Sequence, residues 1–237
     1  MYRTYIFDLY GTLIDIETDE ESPEVWNRLG FHFGYHGMNI AGAELKERFL
    51  AERDSQLAAA ARSCQFPDFV MEEVFRAVAR DLGGNPADAW LQETVRWLRT
   101  LSMIHISLYD GVKEILQRLR SDGKKVFLLS NGQKTFVEAE LRMLGILHLF
   151  DGAAISSEAG VCKPDPLFYR YLTETYGAEL RSAVMIGNDP RTDMAGAEAV
   201  GIDSCYIQTA SSPRGIPVKS AFQILDGNLR SIPGWDR

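Results

Sequence analysis

Short apolar segments alternate with helical segments over the C-terminal part of the chain, and this alternation restricts the fold more than any other feature. Strands are predicted at residues 125–129, 153–156, 183–186, 204–207 and 222–225. Helices are predicted at residues 112–119, 135–144, 166–176 and 194–200. Such alternation is typical of a parallel sheet covered by helices on both faces. With a further apolar strand at residues 5–7, the sequence predicts an α/β fold.

A long stretch without strand patterns separates the first predicted strand from the others. Residues 16–104 are predicted to be wholly helical, opening with a solvated acidic connection at residues 15–21. Helices are expected from Pro23 onward and near residues 43–62, 67–82 and 87–101. We therefore predict a core of residues 1–15 and 105–237 and an inserted helical cap domain of residues 16–104. Residues 227–237 are expected to be loosely packed.

Composition excludes several classes of protein. The chain has 237 residues, 46% of them hydrophobic, and a formal net charge of -8. An acidic surface repels phosphate backbones, so we expect no nucleic-acid partner. The sequence predicts no membrane span and no secretory signal. Three widely spaced cysteines without a metal-binding pattern favour reduced thiols and a cytoplasmic location. A monomer or a homodimer is expected.

Polar residues follow the predicted strands at the points where the strands end. They are Asp8 after the first strand; Ser130 and Asn131, which are followed by Gly132, after the second; and Asn188, Asp189 and Asp193 after the fourth. Lys163 lies just before the helix at 166–176. The carboxyl ends of parallel strands meet at one edge, where open α/β sheets bind ligands. Together these residues supply a nucleophile, a hydroxyl, an ammonium and carboxylates for a divalent cation. Transfer of an oxyanionic group requires such a set.

Each of these residues also has an ordinary structural explanation. Lys163 would be a surface lysine beside a turn, Ser130 a helix cap, and Asp193 a first-turn residue favoured by the helix dipole. One shared site explains their order in the chain more simply than separate structural roles do. His32 and His36, four residues apart on a predicted cap helix, lack a third metal ligand, so we expect them to be solvated or packed.

The ordered set of motifs resembles the haloacid dehalogenase-type hydrolase superfamily, in the branch whose helical cap follows the first strand. The resemblance extends over essentially the whole chain and implies a Rossmann-like core. It also implies that an aspartate attacks the substrate and that water hydrolyses the covalent aspartyl intermediate. By this resemblance Asp8 is the nucleophile, Thr12 hydrogen-bonds near it, Ser130 and Asn131 form the second motif, and Lys163 forms the third.

The resemblance further implies a metal site and a substrate site around Asp8. The expected Mg²⁺ ligands are Asp8, the backbone carbonyl of Tyr10, and Asn188, Asp189 or Asp193 of the fourth motif. The residues expected to line the substrate are Tyr10, Gly11, Asn131 and Gly132. The expected substrate is a small phosphorylated metabolite.

Tyr10 departs from the phosphatase pattern, in which a second aspartate protonates the leaving oxygen. General acid catalysis is worth about 10²–10⁴-fold, so slow hydrolysis of simple alkyl phosphates is expected. Tyrosine at this position resembles the metal-independent 2-haloacid dehalogenases. The acidic fourth motif resembles metal-binding phosphatases instead, and we favour a magnesium-dependent phosphatase. A dehalogenase, and a binding or regulatory protein with weakened chemistry, remain the alternatives.

Overall fold

The strands of the protein were located in a computed structural model, which describes residues 2–234. In chain order the strands are β1 (Thr4–Phe7), β2 (Ile14–Thr18), β3 (Met103–Leu108), β4 (Lys125–Ser130), β5 (Gly152–Ile155), β6 (Ala183–Gly187), β7 (Asp203–Ile207) and β8 (Phe222–Ile224). Each predicted strand is present within a few residues of its expected position.

The helices fall into two groups. Before β3 lie α1 (Pro23–Tyr35), α2 (Gly42–Ala60), α3 (Met71–Asp81) and α4 (Asp88–Ser102), which we call the cap. After β3 lie α5 (Val112–Ser121), α6 (Lys134–Met143), α7 (Ser156–Ala159), α8 (Pro166–Tyr176) and α9 (Ala195–Ala199). A π-helical turn, Pro190–Met194, precedes α9. Within residues 2–234, no helix has the length and apolar character needed to cross a membrane.

The main sheet has six strands in the order β5-β4-β1-β6-β7-β8, and every neighbouring pair is parallel. β1 lies near the centre, where Phe7 pairs with Leu128 of β4 and Ile186 of β6. Its strand residues are buried on both faces because helices cover the sheet on both sides. The predicted α/β fold is confirmed. Asp8 directly follows β1, near the middle of the edge formed by the carboxyl ends of the strands.

A two-stranded antiparallel sheet, β2 with β3, joins the core to the cap. The prediction that residues 16–104 are wholly helical, with a solvated connection at 15–21, is therefore wrong at both ends. Residues 14–18 alternate between apolar and polar side chains, with Ile14 and Ile16 as the apolar residues. The acidic residues among them favoured the prediction of a solvated connection instead of a strand. Ile16 pairs with Ile106, and both pack against the main core. Burial of this apolar face outweighs the charge on the opposite face.

The cap has a hydrophobic cluster of its own, which is distinct from the two clusters that cover the sheet. Its largest buried members are Trp26, Leu29, Phe33, Leu45, Phe49, Phe75, Leu91 and Leu98. Phe136 of α6 is the core residue that joins this cluster. The cap is thus packed against the core through the helix that follows β4.

The C-terminal segment is packed more firmly than the sequence indicated. Leu229 and Ile232 are buried in the main core, and the Tyr5 hydroxyl donates to the Pro233 carbonyl at 2.8 Å. The prediction of a loosely packed tail is wrong for residues 227–234, because apolar residues spaced three apart reach the sheet. Residues 235–237 lie outside the described part of the chain.

Candidate active site

Asp8 is fixed at the end of β1 by its backbone and by a glycine turn. Its N–H donates to the Ile186 carbonyl at 2.9 Å, which continues the ladder with β6 by one residue. Gly11 then turns the chain with a φ of 81°, a conformation that glycine adopts without strain. A Cβ atom at Gly11 would lie 2.3 Å from Asn188 Nδ2. Both the turn and the close approach therefore require glycine.

Lys163 lies between two carboxylates. Its Nζ atom is 2.6 Å from Asp8 Oδ1 and 2.8 Å from Asp193 Oδ1, and all three side chains are nearly inaccessible. Burial lowers the pKa of Lys163, but the charges and hydrogen bonds of Asp193 and Asp8 outweigh burial and raise it. The ammonium therefore stays charged and compensates the nucleophile.

Asn131 holds the backbone of Lys163. Its Oδ1 accepts from the Lys163 N–H at 2.8 Å, and its Nδ2 donates to the Lys163 carbonyl at 3.2 Å. Both polar atoms of the Asn131 side chain are therefore engaged by the Lys163 backbone, and its substrate-lining role stays a prediction. The second and third motifs are joined by these two hydrogen bonds.

Asp193 is fully buried behind Lys163. Its Oδ2 accepts from the Asp189 N–H at 3.0 Å. A Cβ atom at Gly187 would lie 2.2 Å from that oxygen, so the side chain packs directly on the glycine. Burial, and then the charge of Asp8, raise the pKa of Asp193 to about 6, although Lys163 acts in the opposite direction.

Thr12 links Asp8 to Asn188. Its Oγ1 lies 2.9 Å from Asp8 Oδ2 and 3.3 Å from Asn188 Oδ1, and all three groups are buried. A hydroxyl has one proton to donate, so the shorter contact takes it. Asn188 Oδ1 consequently keeps acceptor capacity at a position close to the carboxylate of Asp8.

Ser130 ends β4 with a buried hydroxyl that has no hydrogen-bond partner in the structure. An unpaired buried hydroxyl is costly, and such a group at a strand end indicates a role in binding. The neighbouring Gly132 N–H is engaged, because it donates to Ser156 Oγ at 2.8 Å. Ser156 in turn donates to Asp68 of the cap side. Of these two predicted site residues, Ser130 alone has a free polar atom.

Asp189 is directed toward Arg191 rather than toward Asp8. Its carboxylate accepts from the Arg191 backbone N–H at 2.9 Å and from the Arg191 guanidinium at 2.7 Å. Burial raises the pKa of Asp189, but the contacts with Arg191 dominate and lower it. Within residues 2–234, no three His, Cys, Asp or Glu side chains form a group arranged to hold a metal ion.

Tyr10 makes a contact that sequence reasoning missed. Its hydroxyl donates to Glu140 Oε2 at 2.6 Å, and Arg99 Nε donates to Glu140 Oε1 at 2.6 Å. The Arg99 guanidinium lies 5.3 Å from the Tyr10 ring centroid and 4.8 Å from that of Phe136. Burial, followed by the charge of Glu140, raises the pKa of Tyr10 well above 10. No local pattern announces this pair, because Arg99 and Glu140 are 41 residues apart.

The segment before α3 contacts the residues that follow β4 and β5 in the core. Gln133 accepts from the Met71 N–H at 2.9 Å and donates to the Phe69 carbonyl at 3.0 Å. Asp68 accepts from Ser156, and burial raises the pKa of this carboxyl group. These contacts join the segment before α3 to the residues that follow β4 and β5.

His32 and His36 belong to an aromatic cluster of the cap. The His32 ring stacks on Trp90 at 4.9 Å and on Trp97 at 5.4 Å, and its Nε2 lies 2.9 Å from Thr94 Oγ1. Burial, and then the charge of His36, lower the pKa of His32. The packing role expected for His32 agrees with these contacts.

The chain is similar to known proteins in both sequence and structure. The haloacid dehalogenase-like hydrolase family matches residues 2–201. The phosphoserine phosphatase of Thermus thermophilus is 28% identical over 167 residues, which cover 68% of this chain and 63% of the phosphatase. The (S)-2-haloacid dehalogenase 2 of Pseudomonas sp. strain CBS-3 is 26% identical over 205 residues, which cover 86% of this chain and 83% of the dehalogenase.

Two solved structures share the fold. The 2-haloacid dehalogenase of Pseudomonas syringae pv. Tomato DC3000 has a TM-score of 0.66 and 19% identity, with 94% of each chain covered. The HAD phosphatase of Thermococcus onnurineus has a TM-score of 0.59 and 22% identity, with 94% of this chain and 93% of that chain covered. The two curated relatives and the two structures carry different activities on one architecture. With the family match over residues 2–201, the chain belongs to the haloacid dehalogenase-like hydrolases.

Proposed function

We propose that this hydrolase is a magnesium-dependent phosphatase that acts on small phosphorylated metabolites through Asp8. The observation that carries the proposal is the contact of Lys163 Nζ with Asp8 Oδ1, at 2.6 Å, together with the unpaired hydroxyl of Ser130 at the end of the neighbouring strand β4. A buried cation at the nucleophile and a free donor at the neighbouring strand end suit an anionic substrate.

The two oxygens of Asp8 are held by different donors, Lys163 on Oδ1 and Thr12 on Oδ2. Donors at both oxygens restrict rotation of the carboxylate, which favours one orientation for attack. In the proposed reaction one of these oxygens attacks phosphorus, and the bond to the leaving group breaks. Ser130 donates to a phosphoryl oxygen and Lys163 reduces charge repulsion. Water then cleaves the aspartyl phosphate and restores Asp8.

The oxygen donors near Asp8 fit Mg²⁺. Asp8 Oδ2 and Asn188 Oδ1 flank one hydroxyl, and Mg²⁺ commonly takes one or two protein ligands together with waters and substrate phosphate. Asp8, Asn188 and the Tyr10 carbonyl are the residues that would hold it. When bound, the cation would neutralise charge between the carboxylate and the phosphate. Asp193 is less suited, because its side chain is 1% exposed, against 11% for the side chain of Asp8.

Phosphate release from a panel of metabolites, with magnesium and with EDTA, tests the proposal. Asp8→Asn removes the nucleophile and is expected to abolish release. Asp122→Asn, at an exposed ion pair with Arg118 on α5, is the matched control and should retain it. Magnesium-independent turnover, or full activity of the Asp8→Asn variant, would contradict the proposal.

A second candidate function, metal-independent dehalogenation of a small 2-halo acid, is supported by Tyr10. Tyrosine in this position is what the resemblance to the dehalogenases implies, and the Pseudomonas sp. relative named above is a 2-haloacid dehalogenase. A halide needs no proton to depart, so the loss of the second aspartate is harmless in that reaction. Halide release from 2-chloropropionate in the presence of EDTA would favour this candidate over the phosphatase.

A further inference from the structure

We propose that the substrates of this site are phosphates whose leaving group departs without a proton, acyl phosphates foremost. This inference rests on the proposed phosphatase function and narrows it. It is carried by the Tyr10 hydroxyl, which donates to Glu140. By the resemblance given above, this chain position is the one at which phosphatases hold the aspartate that protonates the leaving oxygen.

The phenol of Tyr10 has a single proton, and Glu140 receives it at 2.6 Å. Glu140 is almost completely buried, and its other oxygen accepts from Arg99 Nε at 2.6 Å. Turning the hydroxyl toward the substrate would leave a buried carboxylate without one of its two donors. Such a loss is strongly unfavourable in a buried ion pair. The hydroxyl is therefore committed to Glu140.

Three structural elements fix this arrangement. Tyr10 follows β1, Glu140 lies on α6 of the core, and Arg99 lies on α4 of the cap. The Arg99 guanidinium also covers the rings of Tyr10 and Phe136, which favours a fixed ring orientation. The ring lies beside the turn that follows β4, since a Cβ atom at Gly132 would be 3.4 Å from Tyr10 Cε2. Tyr10 is thus at the site without offering its proton to it.

The other polar groups around Asp8 do not replace the missing acid. Lys163 directs its ammonium to Asp8 and Asp193, and Asp193 accepts donors at both oxygens. The Thr12 proton is given to Asp8 Oδ2. The hydroxyl of Ser130 is free, but a hydroxyl is too weak an acid to protonate an alkoxide as it leaves.

An acyl phosphate needs no such acid. One Asp8 oxygen forms a bond to phosphorus, and the phosphorus–oxygen bond to the acyl group breaks with its electron pair on the departing carboxylate. Water then adds to phosphorus, the bond between Asp8 and phosphorus breaks, and both protons of the water remain on the released dihydrogen phosphate. Charge and protons balance without a donor at position 10.

A series of substrates of similar size tests the inference in the wild-type enzyme with magnesium. The probes are benzoyl phosphate, 4-nitrophenyl phosphate, phenyl phosphate and benzyl phosphate, which differ mainly in the basicity of the leaving oxygen. We expect kcat/KM to fall along this series, with benzyl phosphate about 10²–10⁴-fold below benzoyl phosphate. Equal rates along the series would overturn the inference and leave the phosphatase function intact. No phosphate release from any of the probes would contradict the phosphatase function itself.

Two variants test whether the missing proton donor at position 10 causes the fall in kcat/KM along the series. Tyr10→Asp restores a carboxyl group and should raise kcat/KM for benzyl phosphate by about 10²-fold relative to benzoyl phosphate. Tyr10→Phe removes the hydroxyl and keeps the ring, so the ratio between the two substrates should stay at its wild-type value. If Tyr10→Phe selectively loses benzyl phosphate hydrolysis, Tyr10 is itself the proton donor and the inference is wrong. The wild-type series decides the question by itself if either variant does not fold.

Discussion

The ammonium of Lys163 lies 2.6 Å from Asp8 Oδ1, and the two residues are 155 positions apart in the chain. Lys163 also contacts Asp193 at 2.8 Å, so one cation serves two buried carboxylates. Asn131 holds the backbone of Lys163 from the neighbouring strand end. The nucleophile is thus supported by residues from three separate motifs, and each contact can be removed singly.

Replacing Lys163 should destabilise the protein as well as inactivate it. In Lys163→Met the carboxylates of Asp8 and Asp193 face each other without a cation. Removing one partner of a buried ion pair costs about 3–5 kcal/mol of unfolding free energy. Denaturation in urea measures this loss. Lys125→Met, at an exposed pair with Asp151, should cost no more than about 1 kcal/mol. Equal losses in the two variants would refute the arrangement described here.

Stability should fall as pH rises across the titration of Asp193. The pKa of Asp193 in the folded protein is about 6, above its ordinary value of 3.8. Between these values the folded state binds more protons than the unfolded state, so the unfolding free energy decreases with increasing pH. Relative to Asp193→Asn, the wild type should lose on the order of 2 kcal/mol between pH 4 and pH 6. Urea denaturation in the presence of EDTA measures the unfolding free energy of both proteins at each pH. If the difference between wild type and Asp193→Asn does not change with pH, the raised pKa of Asp193 is contradicted.

Ser130→Ala should separate catalysis from stability. The Ser130 hydroxyl is buried without a partner, so its removal relieves a desolvation penalty instead of breaking a bond. We expect the unfolding free energy to stay equal or to rise by up to about 1 kcal/mol, while kcat/KM falls by about 10²-fold. Thermal unfolding and steady-state kinetics provide the two readouts. A strongly destabilised but fully active variant would show that the hydroxyl is structural.

Asn188→Asp should strengthen magnesium binding. It replaces an amide oxygen beside Asp8 with a carboxylate oxygen, which Mg²⁺ prefers. We expect the affinity to increase about tenfold, or about 1.4 kcal/mol, in calorimetric titration with magnesium alone. Asp189→Asn is the matched control, because the Asp189 carboxylate is paired with Arg191 and should contribute little. If Asp189→Asn abolishes binding instead, Asp189 is the metal ligand.

Much of the fold followed from patterns that act over short distances. The buried strands and the glycines that end the helices gave the parallel sheet, which in turn placed Asp8, Ser130 and the fourth motif at one edge. The β2–β3 pair was missed because acidic residues masked the alternation that begins at Ile14. The buried tail was missed because Leu229 and Ile232 are stabilised by a sheet that local sequence does not reveal.

The sequence predicted which residues form the candidate site better than it predicted the contacts between them. Asp8 and Lys163 were named from strand ends and from the resemblance. Glu140 and Arg99 could not be named, because a long-range buried pair leaves no periodic signal. The contact of Asp189 with Arg191, two residues away, depends on the local turn geometry before α9, which the sequence pattern did not specify.

Mass spectrometry of the Asp8 peptide, after acid quench of wild-type enzyme turning over benzoyl phosphate with magnesium, tests the central claim most directly. The account predicts that Asp8 carries a phosphoryl group in the quenched sample, and that Asp8→Asn gives neither this adduct nor phosphate release. Steady turnover with an unmodified Asp8 peptide, together with undiminished activity of Asp8→Asn, would contradict it.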